Sequence, residues 1–145
     1  MITIVKGDLF TAETQTIVNT VNCVGVMGKG IALEFKKRYP EMFLKYKELC
    51  NDGLIQVGKL WLYKARDKWV LNFPTKDHWR NGSKIEYLTL GLSKFIDSYK
   101  EKGITSISFP LLGANNGGLE PKLVLDLMIN ALGCCDIPIY IYNNS

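Results

Sequence analysis

The sequence predicts an α/β protein, a three-layer α/β/α sandwich around a mixed, largely parallel sheet. Short runs rich in Ile, Val, Tyr and Trp alternate with longer segments of helical periodicity along the chain. Gly, Pro, Asn or Asp bound the runs, as strand ends require. One pair of runs is separated by only a short polar turn, which adds an antiparallel hairpin to the otherwise parallel pattern.

"ITIVKG" (2–7) is the first strand and "TIVNTVN" (16–22) the second. In "GKGIALEFKKRY", Ile31, Ala32, Phe35 and Tyr39 share one helical face. Pro40 restarts a helix through Met42, Phe43, Tyr46, Leu49 and Cys50, and Asp52-Gly53 closes it. The runs 58–65 and 68–74 form the hairpin, turned at Arg66-Asp67. Ser83 and Glu86 stand at capping-box spacing before a stripe of Ile85, Leu88, Leu92, Phe95 and Tyr99, and Gly103 stops that helix. A strand at 104–110, a helix opened by Pro121 and ended at Gly133, and a strand at 137–143 complete the order.

With 145 residues the chain has the size of one domain, and no linker, repeat or low-complexity tract divides it, so residues 1–145 read as a single domain. Its 47% hydrophobic and 22% charged content is that of a soluble globular protein. No apolar run approaches the ~18–20 residues of a membrane helix, and no signal peptide is visible. The cytoplasm is the expected compartment. Cys23, Cys50, Cys134 and Cys135 have no Cys-x-x-Cys spacing and His78 is the lone histidine, so no metal is expected. The four cysteines read as reduced, mostly buried filler. The net charge of +4 suits a phosphate-bearing ligand but discriminates little.

In open α/β sheets, ligands gather at the carboxyl ends of strands, where helix N-termini present free N–H groups. "NCVGVMGKGIA" (22–32) follows a strand and opens a helix, and Gly25, Gly28 and Gly30 would let an anion approach the backbone. It is neither a Walker A nor a GxGxxG pattern. "PLLGANNGGLEP" (110–121) is a second turn of this kind, with Gly113, Gly117 and Gly118 beside Asn115 and Asn116. Alone, each reads better as a flexible loop. Together, with their helix N-termini facing one crevice, they form a candidate diphosphate clamp. Asp8, in "GDLF", could accept from an exocyclic amine such as adenine N6, though by itself it reads better as a helix N-cap. Tyr140 and Tyr142 share a strand face, and Tyr142 could pack on a base. In "VLNFPTKDHWR" (70–80) a strand ends on Lys76, His78, Trp79 and Arg80. His78 reads as a structural loop residue. Trp79 and Arg80 could touch a nucleic-acid strand or pack on the sheet edge.

The order GDLF, VNTVNCVGVMGKGIALEFK, NFPTKDHWR, PLLGANNGGL resembles the macrodomain family of ADP-ribose-binding modules, from about residue 1 to about 142. Within it, the second and third strings look most like bacterial DNA ADP-ribosyl glycohydrolases of the DarG type, relatives of a human terminal ADP-ribose protein glycohydrolase. The resemblance implies that Asp8, with Leu9, holds the adenine. It implies a diphosphate and distal-ribose site from Val24, Gly28, Gly30 and Ile31 in one loop and Gly113, Ala114, Asn115, Asn116, Gly117, Gly118 and Leu119 in the other. Asn22 corresponds to the distal-ribose asparagine and Lys76 to the catalytic lysine. Beside Arg80 and Lys29 and partly desolvated, such an ammonium would lose its proton more readily.

Two departures from the pattern stand out. The related loop usually reads close to GCGNGGL, whereas this one reads GANNGGL, with Asn115 in place of a glycine. The human protein enzyme carries an aspartate where Gly117 stands, so lysine-only chemistry is the one implied. The implied activity is removal of ADP-ribose from thymine in single-stranded DNA, as the antitoxin to a cognate ADP-ribosyltransferase toxin, by a monomer that needs no cofactor and no membrane. Removal of ADP-ribose from protein carboxylates and non-catalytic reading of ADP-ribose remain rivals. Deacetylation of O-acetyl-ADP-ribose would be a side activity.

Overall fold

The structure, a computed structural model, describes residues 1–114 and 116–145. The sheet strands are β1 (Ile2–Val5), β2 (Thr16–Val21), β3 (Trp61–Lys64), β4 (Trp69–Pro74), β5 (Ile107–Pro110) and β6 (Ile139–Tyr142). The helices are α1 (Gly30–Arg38), α2 (Pro40–Asn51), α3 (Ile85–Lys102) and α4 (Pro121–Leu132), and a 3-10 turn covers Leu9–Thr11. The sheet order is β1-β6-β5-β2-β4-β3. Every neighbouring pair is parallel except β3 with β4, which forms the expected hairpin, Tyr63 facing Val70 and Lys64 facing Trp69. Five strands therefore end on the same edge of the sheet.

Central strands covered on both faces lose the polar alternation of half-exposed ones. Residues 70–75 are accordingly buried without interruption. On one face Leu88, Leu92, Phe95 and Tyr99 of α3 and Val124, Met128 and Leu132 of α4 pack on Val18, Leu71, Phe73, Ile107 and Phe109. On the other, Phe35 of α1 and Met42 and Tyr46 of α2 pack on Ile17, Val21 and Val70. Each such fully buried side chain contributes about 1.5–3 kcal/mol of transfer free energy. Gly91 sets the spacing of α3: a Cβ there would enter the ring of Phe73. That closeness costs about 1 kcal/mol of helix propensity relative to alanine.

Helix ends follow the local signals in most places. Pro40 and Pro121 occupy first-turn positions, and Gly103 terminates α3 in the left-handed conformation at φ 81°. The capping box at Ser83 and Glu86 does not form. Helix α3 starts one residue later than that spacing requires, with Lys84 at the cap position and no side-chain cap bond. Ser83 is drawn away by tertiary contacts: its N–H donates to the Gly117 carbonyl at 2.9 Å, and its side chain is buried beneath that glycine turn. The cysteines also differ from expectation. Among these free thiols only Cys135 is buried; Cys23 and Cys50 are half-buried and Cys134 is exposed, because it follows the end of α4 where the chain turns outward.

Candidate active site

The common edge of the five parallel strands opens into a cleft of ≈ 900 Å³. Gly7 and Asp8 follow β1, Asn22 follows β2, Thr75 and Lys76 follow β4, Leu111 follows β5, and Asn144 follows β6; all line it. Its volume and mixed lining are those of a nucleotide-sized ligand site.

At one end Asp8 serves both readings of its sequence position. Oδ1 accepts from the Phe10 N–H at 2.9 Å and caps the 3-10 turn, while the carboxylate remains exposed on the cleft wall. Leu9, Phe10 and Tyr142 supply apolar surface there. The Asn144 amide pairs with both polar groups of Gly7, accepting from its N–H at 2.8 Å and donating to its carbonyl at 2.9 Å, which fixes this wall.

The loop after β2 is built around Asn22, itself buried. Its Oδ1 accepts from Val24 N–H at 3.1 Å and Val26 N–H at 3.4 Å, and its Nδ2 donates to the Val26 carbonyl at 2.7 Å. The Tyr46 hydroxyl reaches in from α2, 2.7 Å from the Asn22 carbonyl and 2.9 Å from Oδ1, sharing its proton between them. Among the described residues one Nδ2–H of Asn22 has no partner, and it is the group available to a ligand hydroxyl. Lys29 stands at the cap position of α1 without a side-chain cap bond, and among the described residues no acceptor takes the first N–H groups of α1, which can face an anion.

The loop after β5 lies opposite, and a Cβ on Gly30 would collide with the Asn116 amide, so the two loops meet over the cleft. The expectation that α4 would add its N-terminus to the clamp is corrected here. Glu120 accepts from Lys122 N–H at 3.1 Å and Leu123 N–H at 2.9 Å, so the helix end is already occupied by its own carboxylate. The loop meets the cleft through Gly113, Ala114, Asn116 and Gly117 instead. Val24, Gly118 and Leu119 do not line it, and Asn115 lies outside the described residues.

Lys76 is carried in by the continuation of the β2–β4 pairing. Thr75 N–H donates to the Val21 carbonyl at 3.0 Å and Cys23 N–H to the Asp77 carbonyl at 3.2 Å, so the lysine between them is gripped on both sides. Burial, and after it the neighbouring Lys29 ammonium, push the Lys76 amine below the ordinary lysine value. Arg80 does not take the part expected for it: its guanidinium lies over the Trp79 ring, 4.7 Å from the centroid. His78 is structural, its Nδ1 accepting from the Arg80 N–H at 3.1 Å. Cys23 is no rival nucleophile, since burial pushes its thiol up to about 11. A partly desolvated amine, a row of free N–H groups and a carboxylate at the far end can hold a nucleoside diphosphate and act on the carbon beyond it.

Sequence patterns gave no hint of Thr20, Thr75, Leu111 or Asn144 in the cleft. Thr20 and Thr75 could have been found by counting back from strand ends; Asn144 could not, since only its pairing with Gly7 places it.

A macro domain family model matches residues 18–128. A DNA ADP-ribosyl glycohydrolase of Mycobacterium tuberculosis is 47% identical over 135 residues, 90% of this chain and 38% of that protein. The solved macrodomain of M. tuberculosis DarG superposes with a TM-score of 0.94 at 46% identity, covering 100% of this chain and 99% of that one. Thermosipho africanus DarTG in complex with ADP-ribose superposes with a TM-score of 0.91 at 38% identity, covering 97% of this chain and 41% of that one. The chain thus spans about two fifths of the full-length relatives it matches. By sequence, by fold and by the strand-end position of its cleft, the chain belongs to the macrodomain family.

Proposed function

We propose that this macrodomain is an ADP-ribosyl glycohydrolase that removes ADP-ribose from thymine in single-stranded DNA, reversing the mark of a cognate ADP-ribosyltransferase toxin in the cytoplasm. Residues 1–145 act as a single catalytic unit. The observation that carries the reading is Lys76, a partly desolvated amine with a lowered proton affinity on the wall of a cleft sized for ADP-ribose. The similarity to DNA ADP-ribosyl glycohydrolases supports the same chemistry.

In this reading Asp8 accepts from the adenine amine and Tyr142 packs on the base. Gly28, Gly30 and Ile31 on one side and Gly113, Ala114, Asn116 and Gly117 on the other surround the diphosphate and distal ribose, with the α1 N-terminus facing the charge. Asn22 donates its free Nδ2–H to a ribose hydroxyl. The reaction breaks the bond between C1″ and the thymine nitrogen. Water supplies a hydroxyl to C1″ and a proton to the base. Neutral Lys76 acts on the ring-opened sugar as an imine-forming nucleophile, or on the closed sugar as the base for water.

The test is release of ADP-ribose from an oligonucleotide carrying it on thymine, followed by mass. Native protein releases it, and Lys76→Ala loses at least about a hundredfold in rate while still binding ADP-ribose. Lys76→Arg, which keeps the charge but cannot deprotonate, fails to rescue. Borohydride reduction traps the released ADP-ribose on Lys76 through C1″ only along the imine route. Equal rates for native and Lys76→Ala overturn the assignment. Release from protein carboxylates alone overturns the DNA reading.

A further inference from the structure

The reaction above uses Lys76 and the ADP-ribose cleft but not the aromatic residue beside them. Trp79 lies on the cleft wall with 42% of its surface exposed. Its loop is nevertheless stitched tightly. Asp77 Oδ1 accepts from His78 N–H at 2.7 Å and from the Asn81 amide at 3.1 Å, and Asn81 N–H donates to the His78 carbonyl at 3.0 Å. The His78 ring leans on the indole with centroids 5.3 Å apart, and the Arg80 guanidinium lies 4.7 Å from the indole centroid. A large apolar ring held in one orientation at the rim of a site is a binding surface prepared in advance.

Its surroundings identify the occupant. Lys29 and Lys76 line the same cleft, and Arg80 and Lys84 are exposed close by in the chain. Asp77, the carboxylate nearest Trp79 in the chain, is turned into its own loop. An exposed indole with a guanidinium over one face, within a basic rim, leaves its other face for a nucleobase and suits a base and its phosphate better than an acidic peptide. Trp79 is three residues from Lys76, so their Cα atoms are at most about 11 Å apart, which places the ring next to the acceptor.

Building on the DNA glycohydrolase reading, we infer that Trp79 is the stacking platform for the nucleobase adjoining the modified one, with Arg80 contacting the phosphate between them. A base can offer its face to an indole only when it is free of its own neighbours. The platform therefore selects single strands, and a duplex presents no face to it.

The experiment compares kcat/KM on an ADP-ribosylated mononucleotide with that on the same unit inside a short single strand, for native protein, Trp79→Ala and Trp79→Phe. The native enzyme gains about tenfold from the flanking nucleotides, the worth of one stacked base. Trp79→Ala abolishes the gain and Trp79→Phe keeps most of it, with thermal unfolding checking that both fold. A gain that survives in Trp79→Ala overturns the platform. Should native protein turn over neither substrate, the glycohydrolase reading falls, and binding of an unmodified oligothymidylate decides the platform separately. About tenfold weaker binding by Trp79→Ala upholds it, and equal binding overturns it.

Discussion

The two loops that meet over the cleft are built on opposite principles. Residues 22–30 are shaped by added groups: the Asn22 amide holds Val24 and Val26, and the Tyr46 hydroxyl holds Asn22 from a neighbouring helix. The loop after β5 is shaped by missing ones. A Cβ on Gly117 would strike the Gly113 carbonyl and the Ser83 hydroxyl, and backbone bonds from Leu119 to Gly113 and from Ser83 to Gly117 close the turn. A loop held by side chains can be loosened from a distance. A loop held by the absence of side chains is broken most directly by adding one within it.

The largest expected effect comes from Gly117→Ala. The clash is with backbone, which cannot swing aside, so the turn must open at a cost of about 3 kcal/mol, read as a lower urea midpoint and weaker ADP-ribose binding by calorimetry. A variant as stable as native would erase the contrast between the loops. Tyr46→Phe comes next. It removes the buried hydroxyl that ties α2 to Asn22, costs about 1–2 kcal/mol, and speeds amide exchange at Val24 and Val26 while leaving Gly113 and Leu119 unaffected. Comparable acceleration in both loops would show that they move as one.

Lys29→Gln acts electrostatically, since the loop after β2 carries this cation. Lys29 disfavours the charged form of Lys76, so its removal raises the Lys76 value. The neutral amine then appears at higher pH, the rising limb of the pH–rate profile moves up, and activity at neutral pH falls. A shift to lower pH would contradict this account. The smallest effect belongs to Gly28→Ala. The nearest atom to a Cβ there is Val26 Cγ1 at 3.4 Å and the backbone is not left-handed, so stability stays within about 0.5 kcal/mol.

The sequence signals that held were local or periodic. Each strand and helix appeared in the predicted order, and the hairpin turn fell where Arg66-Asp67 required it, because alternation and helical stripes report burial directly. Strand ends were shorter than the apolar runs: Gly7 and Asn22 lie beyond their strands, in loops that line the cleft. Ser83 shows why some signals fail. Its spacing to Glu86 is right for a cap, but a glycine turn distant in sequence claims its backbone, and no local pattern records that competition. Glu120 fails in the other direction, capping α4 so well that the helix end is closed to an anion. The two loops that meet over the cleft were legible. Which helix end stayed free was not.

The grip on Lys76 has one further consequence. Main-chain bonds from Thr75 to Val21 and from Cys23 to Asp77 hold the lysine in place, and neither depends on the identity of the side chains at 77–80. Under the proposed function, the amine and the loop that would meet the acceptor are thus separable parts: one is carried by the sheet, the other is a fitting at its rim. On that proposal, changes at 78–80 would retune which acceptor is admitted while the backbone carrying Lys76 keeps its place.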